Sequence, residues 1–171
     1  MIMKFKKNSC LLLIDLQTDY KFLYDHLKEN VTKLLKKARK ENITICFVFK
    51  KDNSLSYFKP FSQELRGTRP LDKGIPFDFA MPLKHEHVII KHGYDSFFET
   101  NLDKFLTRNR IETLYIAGCL TGICVLNTIF SGFNRGYRIH MIENTCSDRS
   151  KKRHNDIVHH YKDYLFIQEH I

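Results

Sequence analysis

Thr113-Leu114-Tyr115-Ile116-Ala117-Gly118-Cys119-Leu120-Thr121-Gly122-Ile123-Cys124-Val125 is the stretch that decides the fold. Its first four residues form a short apolar run, as in a buried strand. Gly118 and Gly122 follow, which marks a sharp turn. Val125, Ile129 and Phe133 then recur at helical spacing, and Gly136 stands where a C-cap belongs. A strand, a glycine-containing turn and a helix in succession form a unit of parallel α/β folds. In that unit Cys124 begins the helix, where backbone N–H groups and the positive dipole end are expected to lower a thiol pKa.

Outward from this stretch lie five more apolar runs, at 10–14, 43–49, 87–90, 138–142 and 164–167. Helical spacing separates most of them. Tyr20, Phe22, Leu23, Leu27, Val31, Leu34, Leu35 and Ala38 recur at threes and fours. Leu102, Phe105 and Leu106 do so after Thr100, a predicted N-cap, and Ile157 and Tyr161 mark a last helix. Strands alternating with helices imply a parallel sheet covered on both faces, an α/β fold in three α/β/α layers. The 171 residues suit one domain over 1–171 and are too few for two comfortable ones. Residues 50–84 break the alternation. They carry Pro60, Pro70, Pro76 and Pro82 among several aromatics, the composition of a lid or binding loop.

Composition narrows the class. The net charge is +9, with basic residues concentrated at 33–40 and 149–153, in predicted helices where they form solvated faces. An acidic partner is the other reading of that surface. No zinc-finger, RNA-binding or helix-turn-helix pattern accompanies the charge, so no nucleic-acid partner is expected. The run at 10–14 is stopped by Asp15 and is too short for a signal core or membrane span, so a cytoplasmic protein with no membrane partner is expected. Five cysteines with no Cys-x-x-Cys pair fit reduced thiols, Cys10 and Cys46 among them as small core residues. His85, His87, His159 and His160 read as surface residues.

Asp15 follows the first apolar run, Lys91 the third, and Cys124 the turn after the fourth. Ligands of open α/β sheets bind outside the carboxyl ends of the strands, so all three belong to one functional edge. Singly, each has a plainer reading: Asp15 as a helix N-cap, Lys91 as a solvated strand end, Cys124 as a buried thiol. Together they offer a nucleophile, a carboxylate to accept its proton and an ammonium to stabilise the anion. Attack on an amide carbonyl creates an oxyanion that N–H groups of the 120–124 turn could bind. Loss of the amine leaves a thioester on Cys124 for water to hydrolyse.

These residues carry a family resemblance. Leu12-Leu13-Ile14-Asp15-Leu16-Gln17-Thr18-Asp19-Tyr20 resembles the first motif of the isochorismatase-like cysteine hydrolases, which include nicotinamidases and N-carbamoylsarcosine and ureidoacrylate amidohydrolases. Lys91-His92-Gly93-Tyr94-Asp95-Ser96-Phe97-Phe98-Glu99-Thr100-Asn101-Leu102 is similar to the family's lysine motif. Ile116-Ala117-Gly118 through Thr121, Cys124, Val125 and Thr128 is similar to its nucleophile motif, and Glu64-Leu65-Arg66-Gly67-Thr68 to a turn before the third strand. The resemblance implies a six-stranded parallel sheet in the order 3-2-1-4-5-6, with Asp15, Lys91 and Cys124 as the catalytic triad. It implies a cis peptide between Cys119 and Leu120 that turns an N–H toward the oxyanion. It also implies a homo-oligomer, a dimer or tetramer. Gln17 could hydrogen-bond the substrate, and Tyr20, Phe58, Phe61 and Phe98 could wall its pocket.

Departures from the family choose among branches. Nicotinamidases carry an Asp-x-His metal motif after the second strand. Here that place reads Asp52-Asn53-Ser54, with no histidine between His26 and His85, so neither metal nor cofactor is expected. Isochorismatases proper, which cleave a vinyl ether, lack the cysteine nucleophile. Cys124 therefore favours hydrolysis of a C–N bond in a small amide or ureide. Vinyl-ether cleavage with Cys124 as a bystander is the alternative, as is a catalytically idle binding protein on the same fold.

Overall fold

The computed structural model describes residues 3–52 and 72–171. Its first strand, β1 (Ser9–Ile14), is buried along its whole length, because apolar side chains occupy both of its faces. Such a strand is stable only at the centre of a sheet covered on both sides. Side chains alternate across the strand. Leu11 and Leu13 enter one core with Leu27, Val31, Leu34 and Leu35 of α1 (Tyr24–Lys40). Cys10, Leu12 and Ile14 enter the other. That second core receives Leu102 and Leu106 from α2 (Leu102–Arg108), Ile129 from α3 (Leu126–Asn134) and Val158 from α4 (Lys151–Tyr161).

The remaining strands are β2 (Thr44–Lys50), β3 (His87–Lys91), β4 (Thr113–Cys119), β5 (Arg138–Ser147) and β6 (Ile167–Glu169). All pair in parallel, in the order β3-β2-β1-β4-β5-β6. This is the order that the resemblance implied. Connections from β1 run one way along the sheet and those from β4 the other. A crevice therefore opens at the carboxyl ends of β1 and β4.

Some local expectations need correction. The first helical pattern starts as a 3₁₀ turn, Thr18–Leu23, with non-helical backbone at Tyr20, before α1 begins. The N-cap of α2 is Asn101 rather than Thr100, although the Thr100 hydroxyl accepts the Leu102 N–H at 3.2 Å. His87 is only half-buried, with its ring stacked on Phe105, centroids 3.9 Å apart. The helical lysines behave as expected, since Lys33, Lys37 and Lys152 each pair with a carboxylate four residues away. Such exposed pairs contribute little to stability. No described helix is long and apolar enough to cross a membrane.

Gly118 lets the crevice form. It lies opposite Ile14 in the β1–β4 register, with φ +133°, and a Cβ there would sit 2.0 Å from the Ile14 carbonyl oxygen. Backbone on both sides must shift to admit a methyl group. Gly118→Ala is therefore expected to cost about 3 kcal/mol or more. Melting curves would then move down by roughly 6–12 °C; a change below about 2 °C would contradict this packing.

Candidate active site

β1 ends at Ile14, and the chain turns at Asp15, whose φ of +52° bends it off the sheet. The Asp15 N–H still donates to the Val48 carbonyl at 2.8 Å, so its carboxylate stays fixed over the β1–β2 seam. β3 ends at Lys91, which crosses beneath it. Lys91 Nζ lies 3.0 Å from Asp15 Oδ2 and donates to the Tyr94 carbonyl at 2.7 Å. Both side chains are 0 % exposed. Burying a charge is expensive unless a partner offsets it, so each of these buried groups needs the other as its counter-ion.

The β4 end supplies the third group. The Cys119–Leu120 peptide is cis, and the Cys119 thiol donates to the Asp15 carbonyl at 3.1 Å, joining the turn to β1. A π-helical turn, Thr121–Val125, then leads into α3, with Cys124 buried inside it. Thr128 fastens this turn: its hydroxyl donates to the Cys124 carbonyl at 2.8 Å and bonds Ser96, on the loop after β3, at 2.8 Å. The Cys124 thiol interacts with both Asp15 and Lys91. Three groups predicted from separate strand ends thus meet at one point.

Their electrostatics differ from the expectation for Cys124. Burial, reinforced by the Asp15 carboxylate, pushes the thiol up to about 12, against the opposing pull of Lys91. The resting residue is a neutral thiol, not a thiolate. A helix start favours the anion only in proportion to its partial charge, and complete removal from water outweighs it. Burial also raises the Asp15 carboxyl above its ordinary range, with Lys91 opposing. For Lys91, burial acts to lower the pKa, but Asp15 and Cys124 outweigh it and hold the ammonium above the ordinary lysine value. A more basic carboxylate beside a neutral thiol shortens the uphill proton transfer between them.

The turn also settles which N–H groups it uses internally. Ile123 and Val125 donate to the Leu120 carbonyl, and Gly122 donates to Asp148 at 2.6 Å. Among the described residues, the N–H groups of Leu120 and Cys124 make no hydrogen bond outside the turn itself. A Cβ at Gly122 would meet Ile157 of α4 at 2.2 Å, so this position faces that helix rather than the crevice entrance. Arg153 holds Asp148 at 3.2 Å, and His154 bonds the Thr121 hydroxyl at 2.8 Å.

The predicted pocket residues divide. Gln17 is fully buried, and its amide is occupied within the protein. It donates to the Lys50 carbonyl at 2.9 Å and to Asp19 at 2.7 Å, and accepts the Lys50 N–H at 2.9 Å. These bonds tie the end of β1 to β2. Tyr20 is partly buried, and burial together with the nearby Asp15 carboxylate raises the pKa of its hydroxyl. Phe98 is 45 % exposed on the loop after β3, whereas neighbouring Phe97 is buried. Phe58 and Phe61 lie outside the described residues.

Sequence reasoning missed Lys50, which is 3 % exposed at the end of β2 and paired with Asp52 and Asp72. The signal was present, because Lys50 ends an apolar run just as Lys91 does. Asp52, where the metal motif would stand, here accepts from Lys50 and from the Asp72 N–H. Among the described residues, no group of three or more His, Cys, Asp or Glu is arranged to hold a metal ion.

A buried Asp–Lys pair thus stands beside a thiol, at a glycine turn on the carboxyl edge of a parallel sheet. The isochorismatase domain family matches residues 9–167, and the chain belongs to that family of hydrolases. An uncharacterized isochorismatase family protein of Bacillus subtilis, YddQ, is 26 % identical over 160 residues, covering 88 % of this chain and 83 % of that one. An N-carbamoylsarcosine amidase of an Arthrobacter species is 38 % identical over 72 residues, 42 % of this chain and 27 % of that protein. The crystal structure of N-carbamoylsarcosine amidase from Thermoplasma acidophilum superposes with a TM-score of 0.82 at 20 % identity, covering 95 % of this chain and 96 % of that one.

Proposed function

We propose that the protein is an amidohydrolase that cleaves a C–N bond of a small amide or ureide through a thioester on Cys124. The observation that carries this reading is the buried Asp15–Lys91 pair, 3.0 Å apart beside the Cys124 thiol, which the carboxylate and the ammonium influence in opposite senses. As Cys124 Sγ bonds to the substrate carbonyl carbon, its proton passes to Asp15 and the carbonyl electrons collect on oxygen. The N–H groups of Leu120 and Cys124 in this turn are the donors for that oxyanion. One such donor typically contributes ~10²–10³ in rate. The tetrahedral species collapses by breaking its C–N bond, and the departing amine takes the proton from Asp15. Water then adds to the thioester, giving its proton to Asp15, and rupture of the S–C bond returns that proton to sulfur. Lys91 keeps the buried carboxylate ionised between these steps and offsets negative charge on sulfur during attack.

The relatives support the reaction class, since N-carbamoylsarcosine amidases and a ureidoacrylate amidohydrolase of Acinetobacter baylyi are among them. Ammonia release from a panel of small amides and ureides is the test. Turnover that depends on Cys124 and Lys91 supports the reading; vinyl-ether cleavage indifferent to Cys124 refutes it.

The pH profile follows from the same groups. Asp15 must be ionised to accept the proton, and burial raises its pKa. The acid limb of kcat/KM is therefore expected above the ordinary carboxylate range near 4. Above that limb, activity should be flat through pH 7–9, because the Cys124 thiol stays protonated up to about 12. A rise centred between about pH 7 and 8.5, where an unperturbed thiol titrates, would point to attack by a preformed thiolate instead.

A further inference from the structure

Beside the triad lies a second charged set that the cysteine chemistry leaves unused. Strand register sets Lys50 directly opposite Lys91. Val48 and Ile89, two residues earlier on each strand, are register partners in the same core, so alternation sends Lys50 and Lys91 to that same face. Two buried ammonium groups side by side repel, and each needs its own counter-ion. Lys91 has Asp15. Lys50 lies between Asp52 and Asp72, with Nζ 2.6 Å from Asp72 Oδ2.

The backbone fixes this cluster over the sheet edge. The Asp52 N–H donates to the Asp72 carbonyl at 2.9 Å, and the Asp72 N–H donates to Asp52 at 3.1 Å. The segment after Asp72 is bound to the turn after β1. Thr18 donates to the Ile75 carbonyl and Phe77 to that of Leu16, while the Lys73 N–H donates to Asp19. Contacts on both sides thus hold Asp72 next to the crevice. Lys50 is 3 % exposed but the Asp72 side chain 17 %, so the accessible member of this pair is a carboxylate. Its second oxygen, Oδ1, accepts from no described residue. The Tyr20 hydroxyl, which no described residue bonds, feels Asp72 as well as Asp15 and Cys124 and stays protonated, chiefly through burial.

We infer that Asp72 and Tyr20 form the specificity wall of this crevice, an acceptor and a donor that recognise the uncharged far end of a ureide. The inference rests on the amidohydrolase reading. A simple amide spends its carbonyl on the oxyanion donors and its nitrogen on departure, leaving nothing for this wall. An acylurea keeps an N–H for Asp72 and a second carbonyl for Tyr20. Among the described residues, three carboxyls face two ammonium groups at this edge, a balance that disfavours a substrate carboxylate there. Lys50 acts through Asp72 and is a positioning residue.

The test measures kcat and KM for acetylurea, methylurea, acetamide and the anionic ureide N-carbamoylglycine. The wild-type protein is expected to favour acetylurea over acetamide by about 100-fold or more in kcat/KM, and N-carbamoylglycine is expected to be the poorest ureide. Asp72→Asn should raise KM for the neutral ureides about tenfold, change kcat by less than about threefold, and narrow the gap to N-carbamoylglycine. Tyr20→Phe should weaken acetylurea more than methylurea. Acetylurea binding to Cys124→Ala, with and without Asp72→Asn, gives the same comparison without turnover. Equal turnover of acetamide and acetylurea, or an Asp72→Asn loss uniform across all substrates, overturns the wall while sparing the amidohydrolase reading. If nothing on the panel is hydrolysed, the amidohydrolase reading fails, and acetylurea binding indifferent to Asp72 removes this inference with it.

Discussion

Cys124→Ala protein is expected to release ammonia at least ~10⁴-fold more slowly than the wild type on any amide or ureide it accepts. The loss should fall on kcat, since the sulfur forms the bond that breaks the substrate. The fold should survive. Cys124 packs within the second core, and its change to alanine removes one buried atom, a loss of about 1–2 kcal/mol. The control therefore separates chemistry from folding: a cooperative melt within a few degrees of wild type, with the activity gone. Activity persisting in this variant within about tenfold would make Cys124 a bystander.

Lys91→Met should be the most damaging single change to both stability and turnover. Lys91 and Asp15 are each 0 % exposed, so the variant strands a buried carboxylate without its counter-ion. Breaking a buried pair in this way costs about 3–5 kcal/mol, a large share of the 5–15 kcal/mol that holds a domain folded. Asp15 can escape the penalty only by taking a proton, and then it is no longer a base. Activity should fall at least ~10³-fold for that reason. The double variant Asp15→Asn with Lys91→Met distinguishes this cause from lost packing. It should regain a measurable part of the stability in urea titrations while staying inactive. A double variant as unstable as Lys91→Met alone would show that packing, not the unpaired charge, sets the loss.

The sheet was legible because its central strands are apolar on both faces. The run at 10–14 has no polar face, and only a buried parallel strand accepts that pattern. The candidate triad was legible because Asp15, Lys91 and Cys124 each interrupt such a run or follow it, and topology collects strand ends at one edge. The thiol's acidity was not. It depends on how completely the two cores and the 121–125 turn exclude water, which no local pattern records. The bonds of Gln17 were illegible for a related reason, since its partners on Lys50 are set by strand pairing and are distant in sequence. Asp72 was invisible because it lies in a proline-rich segment without periodicity, and only its contacts with Lys50 and Asp52 give it a place.

The covalent intermediate tests the central claim most directly. Wild-type protein would be mixed with a substrate from the ammonia-release panel and quenched in acid within the first turnover. Mass spectrometry of the peptide containing Cys124 would follow. The account predicts an added acyl mass on Cys124 that appears with the first equivalent of ammonia and disappears on further hydrolysis. Ammonia released in full while Cys124 stays unmodified, and released equally by Cys124→Ala, would contradict it.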